Sequence, residues 1–211
     1  MSFQSFSQNL SIGLKGGMIY PMYSLHLTHQ NNDVQYEVKN SINYSYGVSI
    51  GYKILKNISI SIEPCFEKHI VGWDVFIYRA KPYELLIQNT LKYDYLDIPL
   101  MVRYYYKNTG IFFNIGASAF LRLNSNVKTT SPSGQIIGPE SSNYNENSTF
   151  LNYGGIVGIG YTVKLNKKFN LSFELRDRQI FNNQFTPYGI ERNLDISSNT
   201  LSLMSMFRMN L

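Results

Sequence analysis

The chain has 211 residues, 16% charged and 15% aromatic, with 17 Tyr, 13 Phe and one Trp; a typical soluble domain carries roughly 25% charged residues. Its net charge of +5 is spread along the sequence, not gathered into a basic patch, so nucleic acid is not expected as a partner. The single cysteine, Cys65, excludes an internal disulfide and a cysteine-based metal site, and no apolar run reaches the about 18 residues of a transmembrane helix.

Residues 1–9, "MSFQSFSQN", read as a disordered N-terminus or as the remnant of a signal peptide processed near Ser7 or Gln8. Residues 10–211 form one domain of alternating strands. The first is weak, around Leu10 to Tyr20. The second runs from Ile42 to Ile54, with Tyr44, Tyr46, Val48, Ile50 and Tyr52 on one face and Ser45, Gly47, Ser49, Gly51 and Lys53 on the other. The third sets Ile58, Ile60 and Ile62 against Ser59, Ser61, Glu63, Cys65 and Glu67. The fourth, Tyr95 to Tyr106, sets Leu96, Ile98, Leu100, Val102 and Tyr104 against Asp97, Pro99, Met101 and Arg103; its Pro99, like Pro64 before it, has no N–H to donate and predicts a bulge or a missing ladder bond. The fifth alternates Ile111, Phe113, Ile115 and Ala117 with Asn114, Gly116, Ser118, Phe120 and Arg122. The sixth carries Tyr153, Val157, Ile159 and Tyr161; the seventh Phe169, Leu171, Phe173 and Leu175 against Glu174, Arg176 and Arg178; the eighth Leu201, Leu203, Phe207 and Met209 against Met204, Met206 and Arg208.

The connections alternate. Short turns at 55–57, 107–110 and 165–168 are separated by long polar segments near 21–41, 70–90, 124–150 and 181–198. All the long loops therefore fall at one end of an up-and-down meander, the asymmetry of outer-membrane barrels with short periplasmic turns and long extracellular loops. Two closed architectures fit: a soluble, lipocalin-like barrel with the bulky face inside, and a membrane barrel with that face against lipid. The mixed face, rich in Gly, Ser and Asn, lacks the dense Lys and Glu of a solvated sheet. It suits the interior of an eight-stranded barrel, which is only wide enough for side chains to fill. Strand lengths match the about 9–11 residues that cross a bilayer at a tilt. Tyr44, Tyr52, Tyr104, Tyr106, Tyr153 and Tyr161 stand where an interfacial aromatic belt would. The fold expected is thus all-β: an eight-stranded antiparallel up-and-down transmembrane β-barrel.

That orientation turns the charges of the mixed face inward. Candidate lumen cations are Lys15, Lys53, Arg103, Arg122, Arg176, Arg178 and Arg208; candidate anions are Glu63, Glu67, Asp97 and Glu174. Buried charges must pair, so a network is expected in which Glu63, Asp97 and Glu174 meet Arg103, Arg122, Arg176 or Arg208. Pairing across the 107–110 turn would set Asp97 opposite Phe120, and Glu174 would lie near Gly158. The network reads as structural glue in a plugged barrel, with a proton or ion path as the alternative.

The segments "YDYLDIPLMVRYYY", "IGLKGGM" and "GIFFNIGASAFL" resemble the small outer-membrane β-barrel domain family that includes PorT-like proteins, over Leu10 to Leu211. The resemblance implies an eight-stranded barrel in a Gram-negative cell outer membrane and no single activity; PorT-like members are associated with protein secretion across that membrane. The chain departs from the usual terminal aromatic of such barrels: it ends "MFRMNL", with Phe207 four residues earlier.

Three histidines could in principle serve a rim-sited lipid-modifying enzyme: His26 and His29 in the first long loop and His69 at the top of the third strand, with Asp33 and Asp74 at the same end. None sits in a recognisable nucleophile, phosphate or metal motif. The role expected is therefore non-catalytic, without metal or cofactor: a porin-like monomer with a plugged lumen, in contact with outer-membrane lipid and lipopolysaccharide, with a structural role or a protein partner recognised by its extracellular loops. A PorT-like secretion accessory is the alternative.

Overall fold

Inside a bilayer no water can satisfy backbone N–H and C=O groups, so a sheet that crosses it must close on itself. The computed structural model, which describes residues 9–27, 34–77, 84–107, 109–131, 151–181 and 194–211, does so. Its strands are β1 (Leu10–Leu27), β2 (Val34–Asn40), β3 (Asn43–Leu55), β4 (Ile58–Ile62), β5 (Cys65–Ile77), β6 (Glu84–Tyr105), β7 (Ile111–Thr130), β8 (Leu151–Lys164), β9 (Phe169–Ile180) and β10 (Leu194–Asn210). β2 and β3 are two segments of one stave of the barrel, and so are β4 and β5, giving the eight staves expected from the alternation. All pairings are antiparallel, and β1 joins both β10 and β3 to close the ring.

The register fixes the shape. Residue pairs lead from Met22 of β1 through Asn199, Gln179, Gly155, Ala117, Leu100, Ile62 and Ile50 back to β1 at Ile12, ten residues below the start. Such a stagger obliges the staves to tilt and leaves an interior just wide enough for side chains.

The alternation sorts the faces as the sequence predicts. Leu14, Met18, Ile50, Leu100, Ile115, Val157, Leu175 and Leu203 point outward and are exposed, while Ser49, Met101, Arg103, Phe112, Phe120, Asn152 and Glu63 are fully buried inside. Tyr20, Tyr44 and Tyr153 stand outward toward the end away from the short turns, and Tyr104, Tyr106 and Tyr161 toward the other. At the turn end, Phe169 stacks on Phe207, centroids 5.4 Å apart.

The short turns are locally determined. At 107–110, Lys107 takes φ 48° and Gly110 φ 86°, and the Thr109 hydroxyl donates to the Tyr106 carbonyl at 2.7 Å. At 165–168, the Asn166 side chain accepts from the Lys168 and Phe169 amides, both at 2.8 Å.

Of four features set beside the sequence reading, two differ from it, and the two prolines meet the expectation of a bulge or a missing ladder bond. First, the strands run deep into the segments assigned to long loops: β1 continues to Leu27, β5 to Ile77 and β7 to Thr130, while β2, β6 and β10 begin at Val34, Glu84 and Leu194. Where their side chains are described, β6 and β7 carry Gln88, Thr90, Lys92, Asn124, Asn126 and Lys128 outward in these extensions and lack the greasy stripe that marks a lipid-facing strand. Second, Pro99 causes no bulge, as the β6–β7 register runs straight through Pro99↔Ser118; the irregularity lies at Asp94/Tyr95. The missing N–H of Pro99 faces β4–β5 instead. Ile62 pairs with Leu100 and Cys65 with Asp97, so Glu63 stands opposite Pro99. Its amide donates to the Pro99 carbonyl at 3.0 Å. The Glu63 carbonyl, lacking a ladder donor, accepts the Cys65 thiol at 3.1 Å. Third, Pro64 does interrupt its stave, between β4 and β5, as expected. Fourth, Lys53 keeps the inward register, opposite Ser59, but is exposed and not enclosed in the lumen, because it stands at the short-turn end of β3, two residues before Leu55. Of the N-terminal segment 1–9, all but Asn9 lie outside the described residues.

Candidate functional site in the barrel lumen

Inward charges from four staves, β1, β4–β5, β6 and β9, meet in two tiers. The lower tier, nearer the short turns, centres on Glu63 and Glu174. Glu63 is fully buried. It accepts from Lys15 Nζ at 2.9 Å, Ser61 Oγ at 2.9 Å, Arg176 at 2.5 Å and, more weakly, Arg103 at 3.4 Å. Glu174 accepts from Arg103 at 3.1 Å, from the Arg176 Nη2 at 3.0 Å, and from the Arg176 Nε and the Asn114 amide. The Arg103 guanidinium also lies over the Phe112 ring, 4.4 Å from its centroid.

The upper tier centres on Arg178. Its Nη1 donates to Glu67 at 3.0 Å and Asp97 at 2.8 Å, and its Nη2 to Glu67 at 2.8 Å. The guanidinium stacks on Phe120, 4.3 Å from the centroid. Asp97 also accepts the Ser118 hydroxyl, and Glu67 meets His69 Nε2 at 3.0 Å. His69 packs edge-on against Tyr95, centroids 5.1 Å apart.

The geometry explains why these partners find each other. Around the ring the order is β1, β10, β9, β8, β7, β6, β4–β5, β2–β3, so β9 and β4–β5 face one another across the full diameter. Arg176 and Arg178 reach from one wall to Glu63 and Glu67 on the other. Glycines make room: a Cβ on Gly160, opposite Glu174, would strike the Phe112 ring, and one on Gly158 would strike the Asn114 amide.

The lumen charges expected from the alternation fall in both tiers and at the turn end. Glu63, Glu174, Arg103 and Arg176 come together in one cluster. Asp97 stands opposite Phe120, as the turn register predicts, but its cation is Arg178, which alternation placed in the lumen without assigning it that partner. Glu67 and Lys15 are further members that the pairing scheme left out, although their inward parity was readable. Arg122 is buried and stands opposite Tyr95. Arg208 is buried at the turn end and donates to the Tyr105 hydroxyl at 3.3 Å and the Met206 sulfur at 2.9 Å.

Of the three histidines considered from sequence for a rim site, only His69 has a described side chain. His69 is buried in the lumen and is not a loop residue; the third stave continues past it to Ile77. His26 belongs to β1, opposite Asp195, and is likewise not in a loop. His29 and Asp33 lie outside the described residues. Asp74 pairs with Lys39 at 2.6 Å, and this hydrogen bond raises the lysine's pKa above its ordinary value.

Above the row Phe66–Leu96–Leu121 the outward positions turn polar: Lys68, Asp94, Lys92, Asn124, Asn126 and Lys128. There β2, β5, β6 and β7 continue as a sheet beyond the apolar band, with Val71, Leu91 and Tyr93 buried on its inner side. Ser41 and Asn43 patch the break between β2 and β3, the first donating to the Ile70 carbonyl at 2.6 Å and the second accepting from its amide at 3.1 Å.

A closed eight-stave ring with a lipid-compatible exterior and a polar, filled interior defines a small transmembrane β-barrel. Over residues 4–186 the chain matches the outer membrane protein beta-barrel domain family and belongs to it; its place is the cell outer membrane. Among curated proteins none matches the sequence. Similar solved structures include Neisserial surface protein A (11% identity, 96% of this chain and 97% of that one, TM-score 0.47) and OprG of Pseudomonas aeruginosa (12%, 100% of each chain, TM-score 0.47). A third is Ail of Yersinia pestis, the attachment invasion locus protein, in complex with the heparin analogue sucrose octasulfate (12%, 95% and 99%, TM-score 0.44).

Proposed function

We propose that the protein is a non-catalytic surface-recognition barrel whose working part is the extended sheet of β2, β5, β6 and β7, with the lumen network as its structural plug. The observation that carries this reading is that extension. β6 has 22 residues and β7 has 20, about twice what a tilted strand needs to cross the bilayer. The surplus is paired, packed on its inner side and polar on its outer side, as a rigid scaffold presenting loops to a protein partner would be. In this reading the barrel is a monomer surrounded by outer-membrane lipid, and Lys68 and Lys92 face the level where lipopolysaccharide headgroups begin. The buried, paired lumen residues support a plug over a channel.

The PorT-like alternative rests on the "YLDIPL" stretch. Asp97 and Pro99 serve the lumen and the ladder, and Leu96, Ile98 and Leu100 the lipid face, so the motif is accounted for by barrel construction. Complementation of a gene deletion tests both readings. A variant shortened within Gly72–Gln88 should insert, stay heat-modifiable on a cold denaturing gel, and fail to complement. Full complementation by that variant would refute the recognition reading. A general block of protein export in the deletion strain would favour the secretion role. If His69→Ala removed an activity on lipid or peptide while leaving the barrel folded, the non-catalytic reading would fall.

A further inference from the structure

The lumen charges do not balance, and the imbalance is local. The upper tier sets Arg178, with Arg122 nearby, against Glu67 and Asp97. The lower tier holds four cations, Lys15, Arg103, Arg176 and Arg208, against two carboxylates, Glu63 and Glu174. The surplus is concentrated at the turn end. Arg208 is three residues from the end of the chain and opposite Gly13 and Asn170. It contacts no carboxylate among the described residues; its partners are a phenol and a thioether. Its Nε is buried without an acceptor, as are the Nε and Nη1 of Arg103. Arg103 and Arg208 are 1% and 7% exposed. The Tyr105 hydroxyl lies within reach of both guanidinium groups, and Arg103 and Arg208 repel one another across it. Around them stand Phe112, 5.8 Å from Tyr105 between centroids, and Ser59, opposite Arg103. Two glycines let the neighbouring staves approach it closely: a Cβ on Gly13 would press on Arg208 Cβ at 3.3 Å, and one on Gly160 would strike Phe112.

Uncompensated cations sealed from water are strongly unfavourable unless an anion joins them. Buried N–H donors left without an acceptor on two neighbouring guanidinium groups are the chemistry that holds one. We propose that the periplasmic end of the lumen is a binding site for a small monovalent inorganic anion of the chloride class, held between Arg103 and Arg208 with the Tyr105 hydroxyl as a further donor. The anion is a structural component of the plug: it completes the charge balance that the protein's own carboxylates leave open.

The test uses the full chain refolded in detergent. Unfolding midpoints are measured in sodium bromide and in sodium gluconate at equal ionic strength. Bromide raises the wild-type midpoint, and above saturation each tenfold increase in bromide raises the folding constant about tenfold by mass action. Arg208→Met abolishes the bromide response and is at least as stable as wild type in gluconate, because the charge needing compensation is gone; a merely structural Arg208 would instead make the variant less stable in both salts. Equal wild-type midpoints in the two salts would overturn the proposal, as would an undiminished bromide response in Arg208→Met. A larger response to sulfate than to bromide would overturn the halide assignment. If Arg208→Met does not refold, crystals of the wild type soaked in bromide decide: anomalous density between Arg103 and Arg208 sustains the site, and its absence at saturating bromide removes it.

Discussion

Glu63→Gln is the sharpest probe of the lower tier. The substitution keeps size and shape and removes one charge. In the native lumen one carboxylate oxygen accepts from Lys15 at 2.9 Å and Arg176 at 2.5 Å, and the other from Ser61 at 2.9 Å and Arg103 at 3.4 Å. An amide retains one acceptor oxygen, so two charge-assisted bonds are lost and an NH2 is turned toward cationic donors. At about 1.5–3 kcal/mol for each bond to a charged group, the loss is about 3–6 kcal/mol, in line with the about 3–5 kcal/mol for breaking a buried ion pair. None of the partners is more than 4% exposed at its side chain, so solvent screening does not reduce the figure. Denaturant unfolding in lipid vesicles, read from the change in midpoint at constant slope, measures it. Adding Lys15→Met to Glu63→Gln should recover part of the loss, since it removes one orphaned cation. A cost below about 1 kcal/mol for Glu63→Gln would mean that the lumen is hydrated enough to solvate the lost partners, and the plug would have to be abandoned.

Three further outcomes follow from the wall. Leu100, exposed on the outer face of β6 and paired with Ile62 and Ala117, should not tolerate Arg: a cost of about 2–4 kcal/mol is expected near mid-bilayer, and a neutral result would place that face in water. Asp177 is an exposed carboxylate on the outer face of β9, paired with Val157 and Leu201 and without a hydrogen bond or ion pair among the described residues; Asp177→Leu should stabilise the inserted barrel by up to about 1 kcal/mol, whereas destabilisation would reveal a partner in the membrane. Cys65→Ala should cost about 1 kcal/mol beside Pro99 but less in a Pro99→Ala background, where the restored amide can serve the Glu63 carbonyl; equal costs in the two backgrounds would deny the thiol that role.

The wall was legible because lipid leaves a period-two signature: bulky residues outside, small and polar ones inside. Where β6 and β7 leave the bilayer, their outward face turns polar while Leu91 and Tyr93 stay buried on the inner side, so the lipid signature fades and such segments read as loops. The parity of each lumen charge was equally legible, since Glu67, Lys15 and Arg178 fall on inward positions. Their partners were not. Hairpin neighbours can be counted from a turn, which is how Asp97 and Phe120 were matched. Arg178 meets Asp97 and Glu67 across the barrel, and that contact depends on stave order and on the ten-residue stagger accumulated around the whole ring. Lys53 has the inward parity but stands at the short-turn rim, and parity does not say how deep in the lumen a position lies. The ladder bond lost at Pro99 was legible too; which neighbour its missing donor faces, and that the Cys65 thiol stands there, was not.

The contacts between β9 and β4–β5 also bear on how the molecule is made. Glu63, Glu67 and Asp97 are synthesised early, while Arg176 and Arg178 belong to the stave before the last. A sheet that has reached only β8 presents three acids with Lys15 and Arg103 as their chief cations, and Asp97 and Glu67 lack the guanidinium that bridges them. Such a fragment would bring unneutralised carboxylates toward hydrocarbon, which opposes its release into the membrane. The arrival of β9 ends that opposition from within, and β10 then has only to join β1. The spokes of the wheel thereby make a half-built barrel poorly soluble in lipid, so that insertion and completion become the same event.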